Sequence, residues 1–148
     1  MNIAIDQSGR VEFTNVSTVV AYANGKQKSL LIPAEEKRKL QAMFRAAGKP
    51  TMFAVKTFAI LTFLLIRDDM KRINEITIDP EYPGNEWLVK QVLIQLMRRY
   101  GGRHTDEDIT FWSIGRQHNA HKRAIAVYRG NVGPDMVVTA RDVLPYIL

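Results

Sequence analysis

Cysteine is absent from this chain. That excludes disulfides, thiolate zinc sites and cysteine nucleophiles, and it accords with a reducing cytoplasm. Histidine is scarce, with three residues in 148, so imidazole chemistry has few places to sit. No stretch is rich enough in Gly, Ser or Pro to be a disordered linker, and there is neither an internal repeat nor a low-complexity segment. A Walker-type phosphate loop, a Gly-x-Gly-x-x-Gly turn, a serine nucleophile elbow and zinc-ligand spacing are all missing. The N-terminus has no basic run leading to an apolar stretch and a cleavage site, so a chain without a signal peptide, resident in the cytoplasm, is expected. The most apolar run, 51–66, is interrupted by Lys56 and closed by Arg67, Asp68 and Asp69. It falls short of the about 20 apolar residues that a membrane span needs, which predicts a buried helix instead.

What is present suits a single globular domain over 1–148, with 46% hydrophobic and 24% charged residues to build a core and a solvated surface. The formal charge of +6 and a pI near 9.7 permit an anionic partner such as nucleic acid.

Patterning divides the chain in two. Residues 1–13 (MNIAIDQSGRVEF) read as an apolar strand, a tight Ser8-Gly9 turn and a return, continued by the β-branched and aromatic stretch 17–23. Asn24-Gly25 is a two-residue hairpin signal, and 28–32 is the strand that follows it. This predicts a three-stranded antiparallel meander. Pro33 then opens a helix whose first turn carries Glu35 and Glu36, with Leu40, Met43, Phe44 and Ala47 at helical spacing and Gly48 as its stop. The apolar run predicts a central helix reaching about residue 72, with a strand as its competitor because Phe, Val, Ile and Thr are frequent in it. A short strand at 73–79, a helix at 86–100 with Val89, Leu93, Leu96 and Met97 on its inner face, a strand at 108–114 and a helix at 120–128 complete the order. A short extended piece and a final helical turn capped by Thr139 close the chain. A meander followed by strand-helix alternation predicts an α/β fold, a mixed sheet with helices on its faces.

Two of these strands end in acids, Asp6 and Asp79. Two readings of Asp6 stand: a turn aspartate bonded to the amides of Ser8 or Gly9, or a metal-binding acid. If the first and fourth strands are parallel neighbours, Asp6 and Asp79 converge at one sheet edge, where a divalent cation relieves the repulsion of close carboxylates. Glu81 lies two residues beyond Asp79 in a turn bounded by Pro80 and Pro83, directed either back to that edge or into water. The turn 115–122 before the last helix holds His118 and His121, which suit metal ligation or proton relay, or simply a solvated basic loop. Arg116, Lys122, Arg123 and Arg129 form a basic set there, suited to phosphates. Trp112 and Tyr128 fall within apolar patterns and are expected in the core.

The element order and the motifs IAIDQSG and ITIDPEYPG resemble the ribonuclease H-like superfamily, which includes ribonucleases H and Holliday-junction resolvases. One uncharacterised branch opens with a strand-Asp-x-Ser-Gly hairpin very like residues 5–9. The resemblance implies a ribonuclease H-like fold over nearly the whole chain, nucleic-acid binding, and phosphodiester hydrolysis with Mg2+ or Mn2+. It places the first acid on Asp6, the fourth-strand acid on Asp79 and a helix-borne acid on Glu35 or Glu36, whose other role is dipole compensation at a helix start. Catalytic roles are thereby implied for Asp6, Asp79, Glu36 and His121, and metal ligation for Asp6, Asp79, Glu81 and His118. Near the start of the last helix, where active members place an Asp or sometimes a His, this chain offers His118, Asn119 and His121. That departure keeps open a catalytically inactive interaction module with the same fold, and a small-molecule enzyme on another mixed sheet stays open as well.

Overall fold

The structure, a computed structural model, describes residues 1–147. Three strands, β1 (Ile3–Ser8), β2 (Thr18–Ala23) and β3 (Gln27–Ile32), form the expected antiparallel meander. β4 (Ile76–Ile78) pairs parallel with the free edge of β1, and β5 (Ile109–Phe111) pairs parallel with β4. β6 (Met136–Val137) adds in parallel to β3, so the six-stranded mixed sheet runs β5-β4-β1-β2-β3-β6.

The helices α1 (Ala34–Ala46), α2 (Phe53–Ile66), α3 (Glu86–Arg99), α4 (Asn119–Tyr128) and α5 (Ala140–Val143) fall where the pattern places them. α1 follows Pro33 and is stopped by Gly48 at φ +74°. α3 buries the four residues its spacing selects, Val89, Leu93, Leu96 and Met97. The apolar run is shorter as an α-helix than its hydrophobicity suggests, because a single tight turn at Pro50–Met52 and a six-residue 3-10 helix at Arg67–Arg72 flank α2. By length and composition the run Pro50–Arg72 passes for a membrane span, yet 67% of its most apolar window is buried inside the protein. A helix apolar all round belongs in a core.

Strand alternation sorts the sheet into two faces. Ile3, Ile5, Val20, Tyr22, Leu30, Ile32, Ile76 and Ile78 join the large core with Phe58, Phe63 and Leu65 of α2. On the opposite face Val19 and Ala21 pack against Ala124 and Val127 of α4, a small-residue contact that lets this helix lie close across β1, β2 and β3. β2 is therefore buried along its whole length.

Three local expectations need correction. The segment 11–13 is not a strand but part of a turn-rich loop. Its backbone is satisfied elsewhere: the fully buried Lys37 reaches in from α1 and donates through Nζ to Arg10 O (3.2 Å), Phe13 O (2.8 Å) and Thr18 Oγ1 (2.9 Å). The β2–β3 connection has three residues, Asn24, Gly25 and Lys26, rather than two, with Asn24 N donating to Lys26 O. Trp112 is not core: β5 ends one residue earlier and leaves its side chain 75% exposed.

Candidate metal centre

The alternation that points Ile3 and Ile5 into the large core turns Ala4 and Asp6 toward α4, with Asp6 opposite Ala21 of β2. Asp6 is only 4% exposed. The Asp79 amide donates to Ile5 O at 3.0 Å, which continues the β1–β4 ladder one step beyond Ile5 and Ile78 and seats Asp79 beside Asp6. The chain then turns at Pro80, and Glu81 comes back to the same place. One ligand oxygen from each of Asp6, Asp79 and Glu81 lies within 4.8 Å of the others. An ion with oxygen ligands at about 2.0–2.6 Å fits among three such atoms. The trio is spaced to hold a metal ion.

Neighbouring groups fix these carboxylates. Asp6 Oδ1 accepts from the Gln7 amide (2.8 Å), not from Ser8 or Gly9 as the turn reading expects, and Asp6 Oδ2 faces His121 Nδ1 at 2.7 Å. An ionised carboxylate accepts there from the ring N–H. His121 reaches the acid because it sits one turn before Ala124, on the face of α4 that packs against the sheet. Asp79 Oδ1 accepts from the Ile114 amide at 3.0 Å. Tyr82 holds the turn carrying Glu81: its ring packs on Phe58, and its hydroxyl bonds with Gln7 and accepts from the Val11 amide.

Burial pushes the Asp6 carboxyl up, opposed by the His121 hydrogen bond. Burial and the charges of Asp6 and Asp79 push Glu81 up to about 7. The three carboxyl groups form a hard oxygen set. Such a set suits a divalent cation, which would favour the ionised forms.

Other expected site residues lie elsewhere. Glu36 is not part of the trio: its carboxylate accepts from the Ala140 amide (2.9 Å) and from Lys39 Nζ (2.6 Å), tying α1 to the first residue of α5. Lys39 and the Ala140 amide hold it below the usual carboxylate range, as a structural ion pair would. Glu35 is exposed one residue earlier. His118 also stands outside the trio, and its Nδ1 caps α4 by accepting from the Ala120 amide at 3.0 Å. Arg116, Lys122 and Arg129 are exposed, whereas Arg123 is half-buried with its guanidinium 3.5 Å from Asp135. Tyr82, which braces the turn of Glu81, had one signal in the sequence, an aromatic residue in a polar, proline-bounded turn.

No family model, no curated protein and no solved structure matches this chain.

Proposed function

We propose that this protein is a divalent-metal-dependent nuclease with a ribonuclease H-like fold. The observation that carries the reading is the convergence of Asp6, Asp79 and Glu81 from two parallel neighbouring strands and the turn beyond them. Support comes also from the sheet itself, since the meander with β4 against the free edge of β1 is the pairing on which the resemblance depends. Oxygen-only ligands beside an imidazole suit Mg2+ or Mn2+.

Asp6, Asp79 and Glu81 would hold the ion, which supplies charge neutralisation and Lewis-acid activation at a phosphodiester when bound. The residues of the chain divide the remaining work. The Gln7 and Ile114 amides keep Asp6 and Asp79 oriented. His121 fixes the second oxygen of Asp6 and can hold a proton beside the reacting groups. The exposed Arg116, Lys122 and Arg129 offer cations to the flanking phosphates.

The test is hydrolysis of single strands, branched DNA and RNA/DNA hybrids with Mn2+, comparing the parent with Asp6→Asn. Cleavage by the parent, reduced about a hundredfold or more in the variant, is expected from the several kcal/mol that a metal contributes. Equal rates in both, or no cleavage of any substrate, would refute the nuclease. A non-catalytic module is favoured by one observation, that the start of α4 offers His121 where a further carboxylate is expected. It predicts nucleic-acid binding with no metal-dependent cleavage.

A further inference from the structure

Trp112 is the most exposed large hydrophobic residue of the described chain, and it is the register neighbour of the acids. Ile5, Ile78 and Phe111 sit side by side on β1, β4 and β5. The next residues are Asp6, Asp79 and Trp112. The ladder reaches them, because the Asp79 amide donates to Ile5 O (3.0 Å) and the Trp112 amide to Ile78 O (3.1 Å). Strand alternation puts all three on one face of the sheet, so Trp112 stands beside Asp79 at one strand spacing, about 5 Å between backbones across the sheet.

That part of the face is open. α4 packs across β1, β2 and β3. Beyond it, the Thr77 and Thr110 hydroxyls meet at 3.5 Å, with Thr77 half-buried and Thr110 exposed. The Trp112 side chain is not needed for the architecture, since the backbone contacts around it are main-chain ones and the indole is solvated. A solvated tryptophan in a row with a cluster of acids asks for a planar, electron-rich or aromatic ligand that also carries an anion for a bound cation. Arg116, exposed and in no salt bridge among the described residues, lies two positions beyond the Ile114 amide that holds Asp79 and adds a cation at the same end.

We infer that Trp112 stacks on an unpaired base next to the phosphate held at the acidic trio, so that the substrate is single-stranded nucleic acid or the unpaired end of a branched one. The inference rests on the nuclease reading above and narrows its substrate. In a continuous duplex both faces of each base are occupied by neighbouring bases, whereas an unpaired base offers its π-face to an aromatic side chain regardless of sequence. The threonine-lined floor across β4 and β5 leaves room for the strand to continue away from α4.

The chain has two tryptophans, so Trp87→Phe leaves Trp112 as its only indole reporter. In that background with Asp6→Asn, which prevents cutting, fluorescence is titrated with a short oligothymidylate and with a blunt duplex. Saturable quenching by the single strand is expected. Anisotropy of the same strand and duplex carrying a dye, which needs no indole, should then give a strand affinity about tenfold lower for Trp112→Ala, largely retained for Trp112→Phe, and duplex binding unchanged by either substitution. Equal binding of strand and duplex that is indifferent to Trp112→Ala overturns the stacking role while leaving nucleic-acid binding in place. Binding of neither overturns the inference together with the reading beneath it.

Discussion

Glu81→Gln isolates the electrostatic cost of the acidic trio. Burial and the neighbouring Asp6 and Asp79 displace the Glu81 carboxyl from 4.5 to about 7. At about 1.4 kcal/mol per pH unit this corresponds to roughly 3 kcal/mol, and solvent screening at a half-buried position reduces it to about 1–2 kcal/mol. The sign follows from proton counting. Between 4.5 and about 7 the folded chain holds a proton on Glu81 that the unfolded chain has lost, so stability contributed by this group falls as pH rises through that window. Urea unfolding in chelator at steps from pH 4.5 to 8 should show the parent losing about 1–2 kcal/mol from this source relative to Glu81→Gln, which carries no titrating group there. Adding Mn2+ at about a hundred times its Kd should return about 2.7 kcal/mol to the parent and much less to the variant. Parallel pH profiles for the two proteins would refute the reasoning, because they would mean that Glu81 ionises in the folded state as freely as in water.

Two further perturbations test the frame that carries the site. Gly9 has φ +71°, and an added Cβ would meet the Tyr128 ring at 2.5 Å, so Gly9→Ala should cost about 2–4 kcal/mol in urea unfolding through backbone strain and overpacking. Lys37→Met removes the ammonium's bonds to the Arg10 and Phe13 carbonyls and Thr18 Oγ1, but the carbonyls keep the Phe13 and Val16 amides as donors. The change should therefore cost only about 1 kcal/mol net, the lost charge-assisted bonds set against the relief of a buried ammonium. Burial pushes the Lys37 ammonium down to about 8 from 10.5, so the parent also gains stability between those pH values and the variant does not.

The parts of the site that were legible in the sequence are those set by strand periodicity. Asp6 and Asp79 each close an apolar alternating run, and their convergence needed only the parallel pairing of β1 with β4. His121 was legible as a chemical type at the start of a helix, but its contact with Asp6 depends on how closely Ala21 and Ala124 let α4 approach. Glu36 shows where periodicity stops informing. A glutamate in the first turn of a helix looks the same whether it faces a metal or a distant amide, and only the docking of α5 made the Ala140 amide its partner. Trp112 misled for a related reason, since an aromatic residue at the end of a strand pattern belongs to the core only if something covers that face. The loop 11–13 is not a strand because its backbone is bonded in other ways: the Val11 amide donates to the Tyr82 hydroxyl, the Phe13 amide to Arg10 O, and the buried Lys37 to Phe13 O.

The central claim is that Asp6, Asp79 and Glu81 hold a divalent cation, and its most direct test is calorimetric titration of the metal-free protein with Mn2+ near neutral pH. Saturable binding by the parent, weakened at least about tenfold in both Asp6→Asn and Asp79→Asn, is the predicted result, since each variant removes one anionic ligand from the set. Binding of equal strength in all three proteins, or none in the parent, would contradict it.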